Sequence, residues 1–266
     1  MLRVAVAGAS GRMGRMLIEA VSAAPDLTLS GALDIAASSA IGTDPVAFLG
    51  KSSQLKVTSD LQRGLQQADV LIDFTRPAGT LANVAICRGM GIRMVIGTTG
   101  LGESDRGVIQ EAAAEIAIML SPNMSVGVNV AMKLIAMAAR ALATECDIEV
   151  IESHHRDKVD APSGTALKMG EVIAGAQGKR LADLAVHARH GHTGPRQPGS
   201  IGFAAIRGGD IVGEHTVLFA GIGERIEITH RSTSRTNYAQ GSLRAARYVA
   251  GQDHGLFDMD DVLGLR

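Results

Sequence analysis

The stretch Glu152–Ala166, ESHHRDKVDAPSGTA, places two histidines, a lysine and an arginine beside three acids. His154 is of a type that gives or takes a proton near neutral pH, and Lys158 supplies an ammonium four positions on. Ser163 follows Pro162 and suits the N-cap of a helix, so Gly164 and Thr165 would offer backbone N–H groups to a carboxylate, with His155 adding positive charge. This set suits proton delivery to an anionic substrate. It does not suit zinc: adjacent side chains such as His154 and His155 rarely chelate one ion, and no third ligand has a recognisable spacing, so no metal is expected. His187, His190 and His192 lie in a segment rich in Gly, Pro and Arg, which reads as a long mobile loop rather than a ligand set.

A second feature suits a phosphate. Gly8, Gly11 and Gly14 in GASGRMG follow a strand-like run, LRVAVA, and open a helical pattern. The first glycine permits a tight turn, the second lets backbone approach a pyrophosphate, and the third lets helix and strand pack closely. The helix N-terminus adds free N–H groups and partial positive charge. The expected dinucleotide site is therefore the Gly8–Gly14 turn, with Asp34 at the end of the second strand accepting from the ribose hydroxyls. Ile35, Ala36 and Ala37 follow Asp34, and no Lys or Arg comes before Lys51, so a 2′-phosphate would meet a carboxylate. That favours NADH over NADPH, with Arg12 the one nearby base acting the other way. Gly97-Thr98-Thr99 and Ser121-Pro122-Asn123-Met124 end later strands on the same edge and are expected to approach the nicotinamide ribose and carboxamide.

The elements that must carry these residues follow from periodicity. Leu2–Ala7, Leu27–Leu33, Val70–Phe74, Met94–Ile96 and Ile116–Leu120 read as short buried strands, with helices through about Ala24 and near Pro77–Arg88 and Glu103–Glu115. Such alternation means βαβ units and a doubly wound parallel sheet, with ligands beyond the carboxyl ends of its strands. After Asn123 the pattern changes. A helix over Val128–Ala143 leads to a strand at Asp147–Glu152, a helix follows Ser163, β patterns with glycine turns fill Ser200–Thr229, and a last helix covers Asn237–Ala250.

The chain has 266 residues, 46% hydrophobic and 20% charged, enough for one or two domains with substantial cores and too apolar for disorder. No run reaches ~18 uninterrupted apolar residues, so no membrane span is expected. A net charge of −1, five Phe, two Tyr and no Trp give no pull toward nucleic acid. Cys87 and Cys146 form neither a disulfide framework nor a zinc spacing. No export signal is read at the N-terminus, and the cytoplasm is the expected compartment.

Together GASGRMG, IDFTRPAGT, VIGTTG, SVGVN, ESHHRDKVDAPSGTA, GHTG, GDIVGEHTV and FDMDDVLGL closely resemble the dihydrodipicolinate reductase family of the bacterial diaminopimelate and lysine pathway. The resemblance runs nearly end to end. It implies an α/β fold: a Rossmann-type dinucleotide domain, about 1–125 plus 235–266, and a second α+β substrate and oligomerisation domain, about 126–234. It implies reduction of 4-hydroxy-tetrahydrodipicolinate, or the dihydrodipicolinate formed from it, to tetrahydrodipicolinate by NADH or NADPH in a cytoplasmic homotetramer. His154 matches the family's proton donor/acceptor and Lys158 its second proton donor. His155, Gly164 and Thr165 match substrate-carboxylate contacts, and Gly8–Met13, Asp34, Gly97–Thr99 and Ser121–Met124 match nucleotide contacts. Two positions depart from relatives: Ile35 stands where many have Arg, which argues against strong NADPH use, and Met124 follows Asn123 where others have Phe or Val. Two rival readings are a reductase of another imine substrate and a nucleotide-sensing regulator; the sensor would have no use for His154, Lys158 and Ser163–Thr165.

Overall fold

The computed structural model describes residues 1–266. In chain order the elements are β1 (Leu2–Ala7), α1 (Arg12–Ala23), β2 (Leu27–Leu33), α2 (Leu61–Leu65), β3 (Val70–Asp73), α3 (Pro77–Met90), β4 (Arg93–Ile96), α4 (Glu103–Ala112) and β5 (Ala117–Leu120). They continue with α5 (Val126–Leu142), β6 (Asp147–His154), α6 (Gly164–Ala176), β7 (Ala185–Val186), β8 (Ile201–Arg207), β9 (Gly213–Ala220), β10 (Arg225–Ser232), α7 (Thr236–Ala250), β11 (Gly255–Phe257) and α8 (Met259–Leu263). The chain divides into two compact units, Met1–Val126 with Thr236–Arg266, and Gly127–Arg235. No helix is long and apolar enough to cross a membrane.

The first unit holds a six-stranded sheet in the order β11-β5-β4-β3-β1-β2, parallel throughout. Its strands are near-continuous apolar runs because helices cover both faces. Leu17, Ile18, Leu243 and Val249 of α1 and α7 pack on one side, and Val84, Cys87 and Ile109 of α3 and α4 on the other. Strand order reverses between β1 and β3, the point where a doubly wound sheet leaves a crevice at its carboxyl edge. The pairing of β11 with β5 lies outside the sequence expectations, since a three-residue strand carries too little pattern to read.

The second unit is a mixed sheet in the order β10-β9-β6-β8-β7. Burial alternates with period two along β6 and β9, so one face of each strand points into a core with α5 and α6. Along that face the register pairs Ile148 with Phe219, Val150 with Val217, and then Glu152 with His215. Within two residues the same face therefore passes from an apolar core to buried polar groups. β6 runs two residues past the expected end at Glu152, because pairing with β8 continues to His154 opposite Arg207. His154 thus closes a strand instead of lying in a loop. The 187–198 segment is irregular and mostly exposed, as expected, but it is tied down: Arg189 donates to both Glu149 oxygens at 3.0 and 2.9 Å, and Arg196 pairs with Glu149 and donates to the Ile148 carbonyl at 2.8 Å. The counter-charge sits on a strand some 40 residues away, which local composition does not register.

Candidate active site

In the first unit the glycine turn is built as its spacing requires. Gly8 sits at φ +69°, in the left-handed region, and a Cβ at Gly14 would run into the Gly8 carbonyl oxygen. Gly11 caps α1 with no side chain covering the helix end. Asp34 reaches across from β2: its Oδ2 accepts the Ser10 N–H at 2.9 Å and its Oδ1 the Ile35 N–H at 2.9 Å. Burial opposes ionisation of Asp34, but these hydrogen bonds outweigh it and hold the carboxyl below its usual range. Ile35 is 72% exposed, and Arg12 is exposed in the turn.

Gly97 and Thr98 leave β4 beside β3: the Gly97 N–H donates to the Asp73 carbonyl at 2.8 Å, and the Thr80 hydroxyl donates to Thr98 Oγ1 at 2.8 Å. Thr99 is exposed. Ser121 Oγ donates to the Asn123 carbonyl at 2.9 Å, rounding the turn after β5, where Pro122 is exposed. The side chains of Ala9 and Met124 belong to the core. Buried Asp73 accepts from Asn83 Nδ2 at 3.0 Å and from the Thr75 N–H at 2.8 Å, fixing the turn after β3. Sequence reasoning did not assign a role to Asp73, Thr75 or Thr80; the IDFTRPAGT run was the only signal.

In the second unit the centre is Glu152, 1% exposed. Arg207 donates to its two oxygens at 2.7 Å each, His154 Nδ1 lies 2.6 Å from Oε2, and the Ser163 N–H donates to Oε1 at 3.1 Å. Burial opposes ionisation, yet the donors prevail and hold the Glu152 carboxyl below its usual range. His215 stands 2.9 Å from Ser163 Oγ through Nε2 and meets the His154 ring edge-on, with centroids 5.1 Å apart. Burial, with His154 second, pushes the His215 imidazole down to about 4, so it is neutral at physiological pH.

Ser163 caps α6, its Oγ accepting from the Ala166 N–H at 3.2 Å. The Gly164 and Thr165 N–H groups have no protein partner, and nothing lies within 4 Å of a Cβ built on Gly164. That helix end is therefore open to an anion. Lys158 does not bond to His154; its Nζ donates to the Asp160 oxygens at 2.7 and 2.9 Å, and this hydrogen bond is the main cause that lowers the Asp160 carboxyl. His155 is half-buried beside them. The structure thus joins His154, Ser163 and the α6 N-terminus through Glu152, and holds Lys158 separately. Arg207 and His215 lie far along the chain from Glu152, and only strand register could have found them. No three His, Cys, Asp or Glu side chains converge where a metal would sit.

Two profiles of one family cover almost the whole chain: residues 2–124 match dihydrodipicolinate reductase, N-terminus, and residues 127–263 match dihydrodipicolinate reductase, C-terminus. The chain belongs to the dihydrodipicolinate reductase family. A 4-hydroxy-tetrahydrodipicolinate reductase of Herminiimonas arsenicoxydans is 65% identical over 265 residues, covering 100% of this chain and 99% of that one. One from Janthinobacterium sp. (strain Marseille) is 63% identical with the same coverage. The fold is shared with a dipicolinate-bound dihydrodipicolinate reductase from Paenisporosarcina sp. TG-14, at 24% identity and a TM-score of 0.79 over 98% of both chains. As a member of this reductase family the chain is an oxidoreductase with a Rossmann-type sheet and a second mixed-sheet unit.

Proposed function

We propose that this chain reduces 4-hydroxy-tetrahydrodipicolinate, through the dihydrodipicolinate left by loss of water, to tetrahydrodipicolinate in diaminopimelate and lysine biosynthesis. The observation that carries the reading is the joining of a strand-end histidine and an open, serine-capped helix N-terminus by one buried carboxylate. A small dicarboxylate needs both a proton donor and an anion-holding end, and a nucleotide sensor needs neither.

When bound, a reduced nicotinamide dinucleotide supplies the hydride. The residues fit such a group: Gly8 and Gly14 leave the turn without side chains, the α1 end is uncapped, and Asp34, its carboxyl held below the usual range, would accept from a ribose diol. Gly8, Ala9, Ser10, Gly11, Arg12 and Met13 would hold the pyrophosphate, and Gly97, Thr98, Thr99 and Ser121–Met124 the nicotinamide end. With Ile35 exposed beside Asp34, a 2′-phosphate finds no cation there, so NADH is the preferred cofactor and NADPH the poorer one.

In the second unit, the Gly164 and Thr165 N–H groups with His155 bind a substrate carboxylate and orient the ring. His154 Nε2 releases a proton to the enamine carbon formed when the ring accepts hydride, and Lys158 supplies fixed positive charge and the second proton, lent to the ring nitrogen and taken back once the carbon is protonated. The net change is one hydride and one proton added to the substrate. We take the compartment to be the cytoplasm. A homotetramer is supported by the sheet face turned away from α5 and α6, which carries Ile151, Ala204, Ile206, Thr216, Leu218 and Thr229, with Ile206 51% exposed.

The test is NADH consumption while the upstream synthase generates the substrate in situ. Turnover dependent on the synthase is expected; its absence with folded protein would overturn the reading.

A further inference from the structure

Glu152 uses both oxygens twice. Oε1 accepts from Arg207 Nη2 at 2.7 Å and from the Ser163 N–H at 3.1 Å; Oε2 accepts from Arg207 Nη1 at 2.7 Å and faces His154 Nδ1 at 2.6 Å. We infer that Glu152 is the positioning residue for proton transfer by His154, and that Arg207 is the counter-charge that makes the transfer reversible. The inference rests on the proposed reduction with His154 as proton donor, and it assigns two further residues to that reaction.

An ionised carboxylate only accepts hydrogen bonds, so Nδ1 must carry its proton in every state of the ring. The exchangeable proton is thereby confined to Nε2, the atom beside Gly213 on the neighbouring strand. During the step the Nε2–H bond breaks, the proton forms a C–H bond at the substrate enamine, and the imidazolium becomes neutral imidazole.

Arg207 decides what that costs. Without it, losing the imidazolium would leave a buried carboxylate with no cation. With the guanidinium forked onto both oxygens, Glu152 stays neutralised before and after transfer. Arg207 is itself fixed by donating to the Asp160 carbonyl at 2.6 Å. The Ser163 N–H on the same carboxylate adds a second consequence: one side chain sets both the aim of His154 and the start of α6, whose N–H groups would hold the substrate.

The experiment uses full-length protein labelled with [15N]histidine. Long-range 1H–15N spectra, with His154→Gln identifying the resonance, should show the neutral His154 ring as the Nδ1–H tautomer, the less common form in water. Glu152→Gln should convert it to Nε2–H and lower kcat by roughly 10²-fold, less than the ~10⁴ that an orienting carboxylate is worth in a hydrolase triad. Binding of pyridine-2,6-dicarboxylate should change by no more than about threefold, because the Gln carbonyl oxygen still accepts the Ser163 N–H and keeps the start of α6 in place. Because Glu152→Gln leaves the half-buried Arg207 without its carboxylate, a cost to folding, Glu152→Gln/Arg207→Met removes both charges and should show the same tautomer and the same kcat loss. A double variant with wild-type kcat would reduce the pair to scaffolding and overturn the inference. So would a wild-type Nε2–H tautomer, or dicarboxylate binding that falls as far as kcat. If wild-type protein fails to turn over at all, the proposed reaction falls instead, and the tautomer still decides the role of Glu152.

Discussion

Gly213 stands directly against the Nε2 edge of the His154 ring: a Cβ built on it would lie 3.1 Å from Nε2 and 3.3 Å from Cδ2. The strand β9 opens with a glycine there because the imidazole leaves no room for ordinary van der Waals contact. Gly213→Ala should tilt the ring by a few tenths of an ångström. We expect kcat to fall about tenfold, within the ~10² that a 1 Å misplacement can cost, with little change in thermal midpoint. Unchanged kcat would mean that the ring is not held where the proton leaves.

Removing either proposed proton donor should leave cofactor binding alone. His154→Gln and Lys158→Ala should each lower kcat by ~10²–10⁴, the usual worth of a placed acid or base. NADH affinity, followed by fluorescence, should stay within about twofold, since both residues belong to the second unit and the glycine turn to the first. Full activity in both variants would remove the assigned chemistry.

Cofactor choice should be set beside Asp34. The wild-type protein should show a higher kcat/KM with NADH than with NADPH, and Ile35→Arg should move the ratio toward NADPH by roughly tenfold, about 1.4 kcal/mol for one charge-assisted contact. The side chain at 35 is 72% exposed, so the change should not disturb the fold. A wild type that prefers NADPH would show that Arg12 governs the site.

The open N-terminal end of α6, proposed to hold a substrate carboxylate, gives a clean steric test. No atom lies within 4 Å of a Cβ on Gly164, so Gly164→Val should fold normally and fill only the space of a ligand. Calorimetry with pyridine-2,6-dicarboxylate, NADH present, should detect binding to the wild type and none to the variant. Equal binding by both would place the dicarboxylate elsewhere.

His215 should make the protein acid-sensitive. Burial lowers its imidazole from 6.5 to about 4, so the unfolded chain binds the extra proton between those values. Stability is then full above pH 6.5 and declines as pH falls toward 4, by up to about 3 kcal/mol. His215→Gln should flatten the urea midpoint across that window. An unchanged slope would assign the loss to carboxylates.

The parallel sheet was legible because buried strands such as Val70–Asp73 and Ala117–Leu120 are short apolar runs spaced by helices, and that signal is local. The glycine turn was legible for the same reason: Gly8, Gly11 and Gly14 lie within seven residues of one another. The network behind His154 was not. Arg207 lies 55 positions from Glu152 and His215 lies 52 from Ser163, and they meet only through the register of three strands. The expected strand end at Glu152 hid this further, because alternation is what puts Glu152 and His154 on one face.

The first unit takes α7 and β11 from beyond Thr236, after the whole of the second unit has been made. Leu243, Ala245, Ala246 and Val249 fill its core, and β11 covers the outer edge of β5. During synthesis on the ribosome, Met1–Val126 must therefore wait with one side of its sheet covered by α1 alone, while Gly127–Arg235, continuous in the chain, can complete its own core first. The order of assembly is the reverse of the order of the sequence: the part that begins the chain is the last to become a finished domain.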